Sequence, residues 1–199
     1  MFGMNWGRKK EADHDWQHLT ARLNARVQPI DRGEYYEDPL QETLEKAELG
    51  EVTGGGTQLA DEPAGIEFCD LEIRVKAVSN DVLDTIVGRL EELGAPKGSR
   101  LMLDGSEQTL PFGVNEGLGL FVNGTDLPEE VYANSDINHV IEECDRLIGV
   151  AGDYRGYWEG SQETALYFYG NSYEQMKAAI QPFIASYPLC QEARIEQIA

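Results

Sequence analysis

Few residues in this chain have the type and spacing that chemistry requires. His14 and His18 stand four apart, with Asp13 and Asp15 beside them; on a helix the two imidazoles would share a face. A metal site needs a third or fourth ligand held rigidly. No neighbour supplies one, so no metal is assigned. His139 falls in a helical pattern among core positions, where a structural role is expected. Gly54, Gly55 and Gly56 are consecutive and suggest a phosphate cradle. No Lys-Ser/Thr follows them and no helical pattern starts there, as phosphate loops require. Glycines inside a strand mark a bulge or a close backbone approach, and that reading is preferred. Glu142, Glu143 and Asp145 are adjacent on a helical pattern and read as solvent-facing. A carboxylate acid–base pair using Glu142 or Glu163 stays open, because such a pair is defined by burial and distance. Cys69, Cys144 and Cys190 are odd in number and lack metal-ligand spacing, so reduced, half-buried thiols are expected. Neither a nucleophile elbow nor an HExxH motif occurs. No catalytic residue and no cofactor is assigned.

The charge balance is more informative. Thirty-six acidic residues face sixteen lysines and arginines, for a net charge of −20. Such a surface repels phosphates, which disfavours nucleic acid, and it repels anionic membranes for the same reason. It attracts a basic partner and speeds that association at low salt. The plainer alternative is that acidity maintains solubility. No apolar run is long enough to span a bilayer. Residues 1–10 carry two lysines and an arginine without an apolar stretch behind them, so no signal peptide is read and a cytoplasmic location is expected.

The elements that must position any site follow from periodicity. Residues 19–27 alternate, with Leu19, Ala21, Leu23, Ala25 and Val27 on one side, as in a half-buried strand. Asp38 with Pro39 and Gln41 predicts a helix start, and Gly50 its C-cap. Strands are predicted over residues 51–59 and 66–75. A helix over 81–93, capped by Ser79 or Asn80, follows them, and then a short edge strand over 100–103. The second half predicts a strand over 117–123, a loop over 124–134 and a helix from Ile137 to Ile148. A hairpin then pairs residues 153–159 with 164–169. Ser172 caps the last long helix, which Pro182 should kink or shorten, and a strand over 193–198 closes the chain.

The order strand, helix, strand, strand, helix, strand therefore occurs twice, which predicts an α+β fold of tandem ferredoxin-like (βαββαβ) units, antiparallel sheets with helices on one face. The divisions are an N-terminal arm (residues 1–17), a first half (18–104), a linker (105–116) and a second half (117–199). The open face of the first sheet carries Arg22, Asn24, Arg26, Asp70, Glu72 and Arg74, where cross-strand ion pairs are expected. The open face of the second carries Tyr167, Tyr169 and Phe121, with Tyr157 or Trp158 from the hairpin. Those aromatics must pack on the other half, on a second copy or on a partner.

The stretches Gly156-Tyr157-Trp158-Glu159-Gly160, 163–170 and Pro188-Leu189-Cys190 resemble poorly characterised bacterial proteins with ferredoxin-like halves. The resemblance covers the second half on these motifs and the first half by pattern. In size, acidity and lack of catalytic motifs the chain is also similar in type to bacterial immunity proteins. That similarity implies a non-enzymatic protein that binds and neutralises a basic toxin domain. The expected contacts are Asp126, Glu129, Glu130, Tyr157, Trp158, Glu159, Tyr167 and Tyr169, with acids steering and aromatics anchoring. The alternative is a regulatory module with a small molecule between its halves. Oligomeric state stays open.

Overall fold

The computed structural model describes residues 16–60 and 65–199. The alternation over residues 19–27 is realised as a buried row, with Leu19, Ala21, Leu23, Ala25 and Val27 each at most 2% exposed, although the strand itself ends at Leu23 and not at Val27. The first half runs β1 (Gln17–Leu23), α1 (Pro29–Arg32), a π turn (Gly33–Glu37), α2 (Asp38–Lys46), β2 (Gly50–Ala60) and β3 (Gly65–Val75). It continues with α3 (Asn80–Glu92), β4 (Ser99–Leu103) and β5 (Thr109–Phe112). The second half runs β6 (Glu116–Asn123), α4 (Glu129–Asn134), α5 (Ile137–Ile148), β7 (Gly152–Glu159), β8 (Glu163–Gly170), α6 (Tyr173–Ile184) and β9 (Arg194–Gln197). The sheet orders are β2-β3-β1-β4-β5 and β7-β8-β6-β9. The paired strands are antiparallel. The chain is thus a tandem of ferredoxin-like units, with one strand added to the first.

Several local expectations change. Asp38 is not an N-cap: helix begins at Pro29 and passes through the π turn into α2. Pro39 has no N–H to give the preceding turn, and the wider turn accommodates that loss. Gln41 closes no capping box; its Oε1 instead accepts from the Val52 amide at 2.6 Å. Glu48, at φ 54°, takes the left-handed position expected of Gly50. Gly50 opens β2, where a Cβ would lie 2.1 Å from the Arg74 carbonyl oxygen. Residues 105–116 are not a bare linker, because they contain β5, and β4 is therefore interior to its sheet. Leu110 pairs with Leu101 but stays exposed, while Phe112 is buried, so Phe112 is the apolar anchor of this segment on the sheet. The predicted loop over residues 124–134 contains α4. Ser79 and Ser172 cap their helices as expected, and α6 continues past Pro182 to Ile184.

The expected polar face of the first sheet is present. Arg22 is opposite Asp70, grips its carboxylate with two hydrogen bonds of 2.8 Å and lies 3.8 Å over the Phe68 ring. Gly55 leaves room on the helix side for Arg32 and Glu37, since a Cβ there would lie 2.7 Å from Glu37 Oε1 and 2.9 Å from Arg32 Nε. Register shifts at Val52/Gly54 make the strand bulged, so these glycines serve backbone geometry.

The second sheet lays its open face on the first half. Phe121, Ala165, Tyr167 and Tyr169 join the buried cluster built from β1, β3, α2 and α3. The rings of Tyr169 and Phe121 lie across Gly117 and Gly119, where a Cβ would meet them at 2.8 Å. The Arg26 amide donates to the Tyr169 hydroxyl at 2.8 Å. Burial pushes that phenol's pKa well up, so it stays protonated. Arg155 stacks 4.7 Å over Tyr35. Lys97 pairs with Glu116 at 2.8 Å, and the other Glu116 oxygen accepts from the Tyr173 amide. Asp31 sits in this seam near Gly156, and burial raises its carboxyl pKa, with a backbone bond from Gln28 opposing.

Tyr169→Phe is expected to lower stability by about 1–2 kcal/mol, because it leaves the Arg26 amide without its partner; the midpoint of urea unfolding reports it. Asp31 has a folded pKa above its unfolded value, so its contribution to stability is present in acid and lost as pH rises through that folded value. Asp31→Asn should therefore raise the melting temperature at neutral pH and change it less in the acid range. Cys69, Cys144 and Cys190 are free and buried, more completely than the half-buried state expected. Burial pushes the first two thiols up to about 12 and the third to about 11. Native protein should resist a thiol reagent at neutral pH and react at all three cysteines once unfolded.

Candidate functional site

The predicted contact residues divide into two sets. Tyr167 and Tyr169 are each 1% exposed. They are interior groups of the seam, so they do not form a partner surface: a tyrosine face of this size is most stable against the apolar first half. Trp158 opposes Ala165 on the same face and packs partly buried against the seam cluster. Tyr157 and Glu159 point the other way, toward the helices, and Tyr157 is 43% exposed. A one-residue shift at Tyr154/Gly156 sets this phase.

Asp126, Glu129 and Glu130 are exposed on the loop after β6 and the first turn of α4. That loop is held firmly. Asn123 Oδ1 accepts from the amides of Thr125 and Asp126 at 3.0 and 2.9 Å, and the Tyr132 hydroxyl accepts from Leu127 at 3.1 Å. The Gly124 amide donates to the Gln162 carbonyl at 2.7 Å. The acidic loop and the tip of the β7–β8 hairpin therefore occupy one end of the second half.

A groove of about 540 Å³ opens between α5 and β7. Ile137, Ile141 and Glu142 form its helical wall, Tyr154, Tyr157 and Glu159 its strand wall, and Leu166 lies beneath. The strand wall is pinned on both sides. Asp145 Oδ1 accepts from the Tyr154 amide at 2.8 Å, and the Tyr157 carbonyl accepts from Gln28 Nε2 at 3.0 Å. The Tyr154 ring meets Phe168 edge-on at 5.6 Å, and burial pushes its phenol up to about 12. Among the described residues, no lysine or arginine lines the groove. Among the described residues, neither Glu142 nor Glu159 has an ion pair. Neighbouring acids are engaged: Glu143 with Arg146 and Glu163 with Arg194.

The remaining candidates are placed as follows. His14, Asp13 and Asp15 lie outside the described residues, as does most of the N-terminal arm. His18 is on β1, so the helical spacing with His14 does not apply to it. His139 is exposed, with its ring 5.2 Å from Tyr187 and 5.8 Å from Phe183. Among the described residues no group of three or more His, Cys, Asp or Glu is placed to hold a metal, and no helix is long and apolar enough to cross a membrane. Sequence reasoning singled out Glu142 but missed the two isoleucines of the helical wall. Ile137 and Ile141 carry the same spacing as the core residues Val140 and Cys144, and periodicity does not tell a wholly buried position from a half-buried one.

No protein-family model matches the chain, and no curated protein matches it. Among solved structures it is similar to the first two RRM domains of the yeast poly(U) binding protein. That similarity has 12% identity, covers 91% of this chain and 99% of the other, and has a TM-score of 0.26. It is also similar to an anthrone oxidase-like protein, at 13% identity over 92% of this chain and 94% of that one, with a TM-score of 0.25. At these TM-scores neither likeness bears on the site.

Proposed function

We propose that this chain is a cytoplasmic binding protein that captures a basic protein partner and neutralises it, as an immunity protein does for a bacterial toxin domain. The supporting observation is the end of the second half. There Asp126, Glu129 and Glu130 stand exposed on a firmly held loop, beside a hairpin that carries Tyr157 and Glu159. A net charge of −20 steers a basic partner toward such a surface, and a half-exposed aromatic at its edge supplies an anchor. The chain acts here by contact and not by bond making.

A second reading, a small molecule held between the halves, is favoured by one feature of the seam. Among the described residues, the Tyr36 hydroxyl and the Trp158 indole nitrogen are buried without hydrogen-bond partners, and buried donors of this kind ordinarily find one. A rise in melting temperature with a metabolite in the absence of any protein partner would select this reading over the first.

Capture on immobilised protein from the native host, at low salt, is expected to retain a basic protein that elutes as salt is raised and whose activity is blocked by the chain. The triple variant Asp126→Asn, Glu129→Gln, Glu130→Gln should slow association by about tenfold with a smaller effect on dissociation. Retention of no basic protein at low salt would refute the proposal.

A further inference from the structure

We propose that the groove between α5 and β7 seats one long cationic side chain, a lysine or arginine, presented by the basic partner. This assignment rests on the reading above and names the contact within it. The groove combines an apolar floor with carboxylates on opposite walls. Leu166 and Ile141 would cover an aliphatic stem, and Glu142 and Glu159 would face its charged head. Tyr157, 43% exposed at the rim, offers a ring face to the same cation. Lysine and arginine carry both parts in one side chain, an apolar stem and a charged tip.

Other occupants fit the same walls poorly. A neutral apolar molecule would cover two carboxylates without compensating them, which is costly. A second copy of this chain would bring a further net charge of −20 against an acidic surface. An added strand would need the outer polar groups of β7, and the Tyr154 amide and Tyr157 carbonyl are already bonded to Asp145 and Gln28. A metal ion would find two carboxylates from separate walls and no third ligand among the described residues. The volume of about 540 Å³ exceeds one side chain, so backbone or a neighbouring residue of the partner enters with it.

The test is a nuclear magnetic resonance titration of the full chain with n-hexylammonium, against n-hexanol as the uncharged control. Hexylammonium should shift the resonances of Ile141, Tyr154, Tyr157 and Leu166 saturably, and bind about tenfold more tightly than hexanol. The double variant Glu142→Gln, Glu159→Gln should abolish that difference, while Glu107→Gln in the first half should leave it unchanged. Among the described residues neither groove carboxylate has an ion-pair partner, so the double variant is expected to fold, and an unchanged amide spectrum outside the groove shows that it has. Absence of saturable shifts at these residues in folded protein overturns the assignment. So do shifts confined to Asp126, Glu129 and Glu130, although capture of a basic protein would then still stand. Saturable binding in the groove by a chain that retains no basic protein supports the cation seat and removes the proposed function instead.

Discussion

A sheet face lined by Tyr167, Tyr169 and Phe121 cannot remain in water, and its burial on the first half organises the whole molecule. Rings of this kind contribute the largest apolar areas a chain of this size has. Covering them joins the two ferredoxin-like units through one continuous cluster rather than a flexible tether. The glycines of β6 follow from the same constraint, because Gly117 and Gly119 leave the space in which the rings lie flat. The polar consequences are managed one by one. The Tyr169 hydroxyl takes the Arg26 amide, Gln28 reaches the Tyr157 carbonyl, and Arg155 lies over Tyr35.

Burying that face also decides what is left outside. With the open face of the second sheet committed to the seam, the free surface of the second half is its helix side and its strand ends. The groove between α5 and β7 and the loop bearing Asp126, Glu129 and Glu130 both lie there. The acids divide accordingly. Asp70, Glu116, Glu143 and Glu163 are tied to arginines or lysines, in surface pairs that solvent and salt screen. Among the described residues Glu142 and Glu159 have no ion pair, and their charge is available to whatever approaches. A strongly negative chain accepts some self-repulsion in its folded state, and the field it creates acts over association.

Local chemistry was legible wherever one element could satisfy itself. Ser79 and Ser172 cap helices because each side chain needs only an amide three residues on. The row from Leu19 to Val27 shows as alternation because every second residue meets the same core. Asp38 misled because its capping pattern is real in sequence yet lies inside a longer helix, where Pro39 and the π turn override it. β5 was illegible for a different reason. Its four residues, Thr109–Phe112, include a proline, and they bury one side chain, Phe112, only once β4 is there to pair with.

The sequence by itself determined the duplicated strand and helix order, the acidic character and the existence of an aromatic face, since each depends on composition or on a period a few residues long. Tertiary structure alone decided that Tyr167 and Tyr169 are interior while Tyr157 is exposed, and that Glu142 and Glu159 share one groove. The reason is distance along the chain. Glu142 and Glu159 belong to different elements, and no local pattern records which helix will lie beside which strand edge. That choice is made by the bulge in β7, the Asp145 bond to Tyr154 and the covering of the opposite face.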